Sequence, residues 1–316
     1  MKEGLEKYGI DVEKSNQPYD IIGDIHGHAD ELEALLQKMD YNKNAEGTYC
    51  HPDRKAFFVG DFIDKGPKIK QVLEIVKPMV EKGFAKAVIG NHEYNAICFH
   101  TEVNEKPLRA HTDKNIELHD ATIKQVVEKH PQEWETYLEW FKTLPIFFEN
   151  DNFRVVHAHW KEKHIMYLKA KGIFNFKEKE TLIRSNDDMD PLHLVIEETL
   201  KGEEVKVPGV FFTDKYGIQR EEYRIKWWNC PKENEPIDCL FEFVSSETYI
   251  QLNYEVDLEN LSQKPVFFGH YWLKDAQPVL QKNTVCCLDY SVANEGYLVA
   301  YRWGGESELV NGNIVC

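Results

Sequence analysis

The chain has 316 residues, 42% of them hydrophobic, and sets 38 basic against 54 acidic side chains for a formal charge of −16. That balance excludes broad binding to a nucleic-acid backbone or an anionic membrane, because both are polyanions, and no apolar run approaches the roughly 18 residues a membrane helix requires. An anionic substrate would therefore need a local positive centre, such as metal ions.

The opening stretch, MKEGLEKYGIDVEKSNQP, contains acids and no apolar core of signal-peptide length, so no targeting peptide is expected and the cytoplasm is the expected compartment. A short apolar segment from Tyr19 reads as a strand. After GDIHGH, Leu32, Leu35, Leu36 and Met39 keep the i, i+3, i+4, i+7 spacing of an amphipathic helix, with Asp30 and Glu31 in the first turn where the helix dipole favours acids. The grammar then repeats. KAFFVG predicts a buried strand, DFIDKG a loop, and Pro67 the opening of a helix that carries Ile69, Val72, Val76 and Val80. FAKAVIG predicts a third strand, with NHEYNAI as loop and helix start. Three strand-loop-helix units in series predict a mostly parallel sheet with right-handed crossovers. In such a sheet the loops open along one edge, so that residues distant in sequence share a crevice.

Helical periodicity covers about Thr112 to Leu144, with Pro131 separating two helices, and strands return at IFFE and FRVVHA. From about His159 to Ser262 charge is dense and the segments are short. This stretch predicts an insertion or cap within a single domain spanning 1–316, partly helical near Asp190 to Leu200 and partly hairpin around Gly217. KPVFFGH, TVCCLDY, GYLVAYRW and SELVNGNIV read as consecutive strands of the second half. The seven cysteines, Cys50, Cys98, Cys230, Cys239, Cys286, Cys287 and Cys316, include no C-x-x-C pair. They predict reduced thiols, with neither a disulfide framework nor a zinc finger.

The loops carry the chemistry. Histidine, aspartate and asparagine without nearby cysteine suit borderline-to-hard divalent ions. GDIHG supplies Asp24 and His26 on one side of an extended segment. GDFIDKG supplies Asp61, whose two oxygens can bridge a pair of ions. GNHE supplies Asn91 and His92, VVHAHW supplies His157, and FFGHYW supplies His270. A single histidine after a strand says little, but five strand-end motifs in one chain point to a common site.

This ordered set resembles the calcineurin-like metallophosphoesterases, and within them the phosphoprotein-phosphatase branch that includes bacterial and phage serine/threonine phosphatases and symmetrical dinucleoside tetraphosphatases. Matching positions run densely from Asp20 to Asn95, then from Val155 to His157 and from Val266 to Tyr301. The resemblance implies an α/β fold of the calcineurin-like kind, a β-sandwich of mixed sheets flanked by helices, with the insertion outside the match. It implies that Asp24, His26 and Asp61 hold one divalent ion and that Asp61, Asn91, His157 and His270 hold a second. Manganese is the first expectation, with iron, zinc, cobalt or nickel as alternatives. Such a pair clamps phosphoryl oxygens and activates a bridging hydroxide for in-line displacement. His92 then corresponds to the histidine that protonates the leaving oxygen and Asp64 to the partner that orients it. A loop salt bridge from Asp64 to Lys65 is the plainer alternative.

The implied enzyme is a metal-dependent phosphoric-ester hydrolase acting on phosphate monoesters, with a serine/threonine or broad-specificity phosphoprotein activity placed first. A symmetrical dinucleoside tetraphosphatase is the alternative, and an inactive binding module of the same fold comes last. The expected partner is a phosphorylated protein or nucleotide, and neither a nucleic-acid backbone nor a membrane. Two departures from the family pattern concern phosphate contact. Lys65 stands where relatives carry arginine, which loses the bidentate fork, and the later phosphate-binding arginine is open among Arg224, Arg220 and Arg184. His28 is expected at a helix start with no ligand role. His159 is read as a core or surface histidine or as a substrate or carboxylate contact, and Asp289 as an anchor for a ligand histidine or a turn residue. Trp227 and Trp228 are read either as cap packing or as a stacking cleft.

Overall fold

The computed structural model describes residues 17–206, 211–213, 219–229 and 263–316. In chain order its main elements are β1 (Tyr19–Ile22), α1 (Ala29–Lys38), β2 (Lys55–Phe58), α2 (Ile69–Glu81), β3 (Ala85–Ala87) and α3 (Asn91–His100). They continue with α4 (Asp113–Thr122), α5 (Pro131–Thr143), β4 (Phe147–Glu149), β5 (Arg154–Val156), α6 (Glu162–Lys171), α7 (Lys179–Ser185) and α8 (Pro191–Lys201). The last are β6 (Glu204–Lys206), β7 (Glu222–Arg224), β8 (Val266–Phe268), β9 (Val285–Cys287), β10 (Ala300–Trp303) and β11 (Ile314–Val315).

Strand alternation builds the layers. Successive side chains of a strand point to opposite faces, so in β1 Tyr19 and Ile21 join Phe57, Phe148, Val155, Phe267 and Tyr301 in one apolar cluster. Ile22 instead joins Leu32, Leu36, Phe58 and Val72 in another. The first cluster takes residues from two sheets and is the interior of a sandwich, with Phe57 against Phe148 and Phe267 against Tyr301 at ring separations of 5.0 and 5.3 Å. The second lies between sheet and helices, where α1 buries Leu32, Leu35 and Leu36 and α2 buries Ile69, Val72, Leu73, Val76 and Met79.

One sheet has the order β11-β10-β1-β2-β3 and the other β9-β8-β5-β4. The β1-β2-β3 and β9-β8-β5 cores are parallel, whereas β10, β11 and β4 pair antiparallel. Periodicity alone predicted one mostly parallel sheet. The parallel cores are present, but the chain divides them between two mixed sheets, because β4, β5, β8 and β9 form a layer of their own while β10 and β11 return to the first sheet. This is the α/β sandwich of mixed sheets that the motif resemblance implied.

Smaller differences have local causes. α2 starts at Ile69 and not at Pro67, since the Lys68 N–H donates to Gly27 O at 2.9 Å and ties the turn to the preceding loop. Pro131 opens α5 as expected, but α4 runs directly into a π-helical turn at Ile123–Val127. Of SELVNGNIV only Ile314–Val315 is strand. Between β5 and β8, α8 matches the expected helix, while α6 and α7 were not foreseen. Phe212–Thr213 pairs with Gln219–Arg220 on either side of the predicted hairpin, and Gly217 itself, like Ser262, Cys230 and Cys239, lies outside the described residues. Cys50, Cys98, Cys286, Cys287 and Cys316 are free thiols. Among the described residues no helix is long and apolar enough to cross a membrane.

Candidate metal centre

Parallel strands bring their C-terminal ends to one edge, and the loops there hold the predicted side chains. Asp24 and His26 follow β1, Asp61 and Asp64 follow β2, and Asn91 and His92 open α3. His157 follows β5, and His270 follows β8 from the second sheet. Their convergence is tight. Asp61 Oδ2 lies 3.4 Å from His26 Nε2, 3.4 Å from His157 Nε2 and 4.0 Å from His92 Nε2. Asn91 Oδ1 sits 2.9 Å from His157 Nε2 and 2.8 Å from His270 Nδ1. Two donor groups, His26 with Asp61 and His92 and Asp61 with His157 and His270, each gather their atoms within 4.8 Å, and Asp61 belongs to both.

The donor set fits cations. The Nδ1–H of His26 donates to Ile63 O at 3.0 Å, which turns Nε2 toward Asp61, the arrangement that fixes a metal-binding tautomer. Asp24 Oδ1 and His270 Nε2 are buried with no hydrogen-bond partner among the described residues, a costly arrangement unless a further group satisfies them. His157 reports the same deficit. Its burial opposes charge, but the Asp61 carboxylate outweighs that and pushes the imidazole up to about 10. A proton there serves acceptors that a cation would serve equally. Burial, then Asp289, raises Asp24 well above the carboxylate range. Burial, then Lys65, lowers His26, and burial, then Arg224, lowers His270, both well below the usual range.

The backbone is bent to make this possible. His26, Asp61, Asp64, Lys65 and His270 all have left-handed φ, at 45°, 54°, 67°, 64° and 70°, a conformation that costs non-glycine residues energy and clusters at functional sites. Close approach also dictates glycine at two positions. A Cβ on Gly269 would stand 1.8 Å from Asp24 Oδ1, and one on Gly90 would stand 2.2 Å from Asp61 Oδ1. Glu93 braces the bend. Its buried carboxylate accepts from the N–H groups of Asp61, Phe62 and Gly90 at 2.8, 2.8 and 3.0 Å. The sequence reading passed over this residue, although Gly90-x-x-Glu93 has the spacing of a helix capping box.

His92 belongs to the first donor group, where Asp24 was expected, and differs from the other histidines of the two groups in bonding a carboxylate through Nδ1. Its Nδ1 meets Asp64 Oδ2 at 2.5 Å, and its ring packs edge-on to His26 at 4.7 Å. Nε2 is thereby left facing Asp61. Lys65 makes no salt bridge to Asp64, because its Nζ lies 2.9 Å from His26 Nε2. Arg224 is the charge that, after burial, most lowers His270. Its guanidinium lies 5.0 Å from the Trp272 ring and pairs with Glu204 at 3.1 Å. Arg184 is taken by Asp190 at 2.8 Å, and the Arg220 side chain lies outside the described set.

The remaining candidates take structural places. His28 Nδ1 bonds His26 O at 2.8 Å at the start of α1. His159 is buried and stacks on Trp227 at 5.1 Å. Trp227 and Trp228 are only 2% and 3% exposed and pack on Phe268, so neither lines an open stacking cleft. Asp289 accepts from the backbone N–H of Trp272 and Ser291 at 2.7 and 3.0 Å, which shapes the loop after His270 without touching that ring.

Residues 18–271 match the calcineurin-like phosphoesterase family. The chain is 32% identical over 148 residues to an asymmetrical bis(5'-nucleosyl)-tetraphosphatase from Geobacillus sp., covering 44% of this chain and 56% of that protein. It is 28% identical over 139 residues to a symmetrical bis(5'-nucleosyl)-tetraphosphatase from Psychromonas ingrahamii, covering 44% of this chain and 42% of that protein. The chain thus spans about half the length of these curated relatives. A solved protein serine/threonine phosphatase from Saccharomyces cerevisiae shares the fold with a TM-score of 0.51 at 11% identity, over 96% of this chain and 80% of that one. A cold-active protein tyrosine phosphatase does so with a TM-score of 0.50 at 14% identity, over 95% and 81%. Likeness at such identity speaks for the fold alone.

Proposed function

On the premise that this chain belongs to the calcineurin-like phosphoesterases, a metal-dependent family whose match spans residues 18–271, we propose that it hydrolyses phosphate monoesters, phosphoproteins among them, at a centre of two divalent ions. The observation that carries this reading is Asp61 Oδ2 facing three imidazole nitrogens, with a fourth histidine and an asparagine behind them. Asp24, His26 and Asp61 would hold one ion, and Asp61, Asn91, His157 and His270 the other, with manganese the first metal to test. When bound, such a pair neutralises phosphoryl oxygens and lowers the pKa of water enough for direct attack.

The chain's own residues do the rest. Asp61 Oδ1 is held by the His92 N–H at 3.0 Å, which leaves Oδ2 directed inward. Arg224 presents a guanidinium suited to two phosphate oxygens at once, while Lys65 offers only a point charge. With Nδ1 committed to Asp64, His92 carries the transferable proton on Nε2, where the leaving oxygen departs. Turnover of 4-nitrophenyl phosphate with added manganese, lost on chelation and in His92→Ala and Asp61→Asn, is expected. Activity that survives chelation would refute the reading.

A second reading is favoured by the names of the curated relatives, which are dinucleoside tetraphosphatases. The same centre would then cleave a dinucleoside polyphosphate. Chromatography of the products separates the readings: two diphosphates from a dinucleoside tetraphosphate indicate symmetrical cleavage, a triphosphate with a monophosphate indicates asymmetrical cleavage, and release of phosphate from phosphopeptides alone supports the first reading.

A further inference from the structure

Helix α4 is oddly made. Its buried residues are not an apolar stripe but His119 and Thr122, three apart on one face. Both end on Asp64. His119 Nδ1 donates to Asp64 Oδ1 at 2.8 Å, and the Thr122 hydroxyl donates to the same oxygen at 2.5 Å while accepting from the Asp64 N–H at 3.0 Å. The π-helical turn that follows continues the grip, since Gln125 donates to Gly66 O at 2.8 Å and accepts from the Ile69 N–H at 2.9 Å. π-Turns cost helix regularity and recur where function requires them.

His119 cannot turn away. Its Nε2 meets His100 Nε2 at 3.2 Å, and its ring lies 5.4 Å from Phe99 and 5.8 Å from Trp134. Burial, then His119 and His111, lowers His100 to about 4, so a neutral ring faces His119. Burial alone would raise Asp64, but hydrogen bonding from His119, ahead of that from His92, holds it well below the carboxylate range.

We infer that His119 is a positioning residue for the Asp64–His92 pair, fixing the carboxylate so that Oδ2 meets His92 Nδ1 and His92 Nε2 faces the leaving oxygen. The inference rests on the reading of His92 as proton donor. In that step a water-derived hydroxide forms the new phosphorus–oxygen bond as the bond to the leaving group breaks, the departing oxygen takes the proton from His92 Nε2, and His119 exchanges none.

The test is a leaving-group series with manganese present, comparing phenyl phosphate, whose leaving group needs a proton, with 4-nitrophenyl phosphate, whose leaving group needs little help. His119→Ala should lose on the order of 10-fold in kcat on phenyl phosphate, less than about threefold on 4-nitrophenyl phosphate, and leave KM unchanged, as partial loss of a general acid predicts. His119→Asn, whose amide nitrogen falls near the Nδ1 position, should restore most of the loss. His119→Gln, which leaves Asp64 Oδ1 without that donor, should behave like alanine and serves if the alanine variant does not fold. Equal losses on both substrates, no loss on either, or failure of asparagine to rescue would overturn the inference. His92→Ala is the control for the reading beneath it. If that variant loses equally on both substrates, the proton-donor role itself falls, whereas a selective loss in His92→Ala with none in His119→Ala removes only the role given to His119.

Discussion

Around Asp61 the chain buries polar groups that its own side chains leave short of partners, whereas the layer of α6 and α8 buries charges that are matched. In the first region Asp24 Oδ1 and His270 Nε2 have no hydrogen-bond partner among the described residues. In the second, Glu198 accepts from Lys161 at 2.7 Å and from His164 at 2.6 Å, and Lys161 also reaches Glu203 at 2.8 Å, although His159 Nδ1, beside Trp227, has no hydrogen-bond partner among the described residues. Trp227 closes that layer, with its indole N–H on Ala158 O at 2.9 Å. The difference separates two tasks. A deficit held by left-handed φ angles and close-approach glycines is what the proposed cation site would draw on, while a network packed on aromatics holds the layer in place. Substitutions in the two regions should therefore fail differently, one in turnover and the other in stability.

The sharpest break between them is Asp61→Asn, which removes the oxygen charge common to both donor groups. Activity should fall by at least about 10³-fold in the protein that remains folded. A variant retaining a tenth of the activity would erase the contrast. Trp227→Ala should act the other way and cost about 3 to 5 kcal/mol in denaturant unfolding, with the folded fraction still active. A loss under 1 kcal/mol would mean that the layer does not depend on this packing.

Arg224→Ala falls between, since the residue belongs to β7 but its charge reaches His270. A loss of about 10- to 100-fold in kcat/KM is expected, from one charge-assisted phosphate contact, and unchanged kinetics would return Arg224 to its Glu204 ion pair. Glu198→Gln is the mildest. Burial raises the Glu198 carboxyl, but His164 and Lys161 outweigh it and hold it at about 2. A depressed carboxyl contributes stability above its unfolded value of about 4.5 and loses it as pH falls toward the folded value. Wild type should thus exceed Glu198→Gln by about 1 to 2 kcal/mol at pH 7, with the gap closing on acidification. A gap independent of pH would show that this ion network contributes nothing through charge.

The same contrast explains what the sequence made legible. Asp24, His26, Asp61, Asn91, His157 and His270 could be read because each sits at the end of an apolar strand, where local pattern alone fixes its place at the sheet edge. The pairing of His92 with Asp64 was foreseen from the motif. Glu93 was within reach through its capping-box spacing, although it went unread. His119 and Thr122 were not, because nothing in an i, i+3 pair on a polar helix says which loop that helix will meet. α6 and α7 were hidden for a related reason: they are short, and their apolar residues are too few to set a period against dense charge. Trp227 and Trp228 could not be assigned to cleft or core until Phe268 and His159 were seen against them.

Metal content per chain, measured by elemental analysis after dialysis against manganese and removal of free ion, tests the central claim most directly. The account predicts two ions per wild-type chain and their loss in Asp61→Asn. A wild-type chain that retains no divalent ion, or an Asp61→Asn chain that retains both, would contradict it.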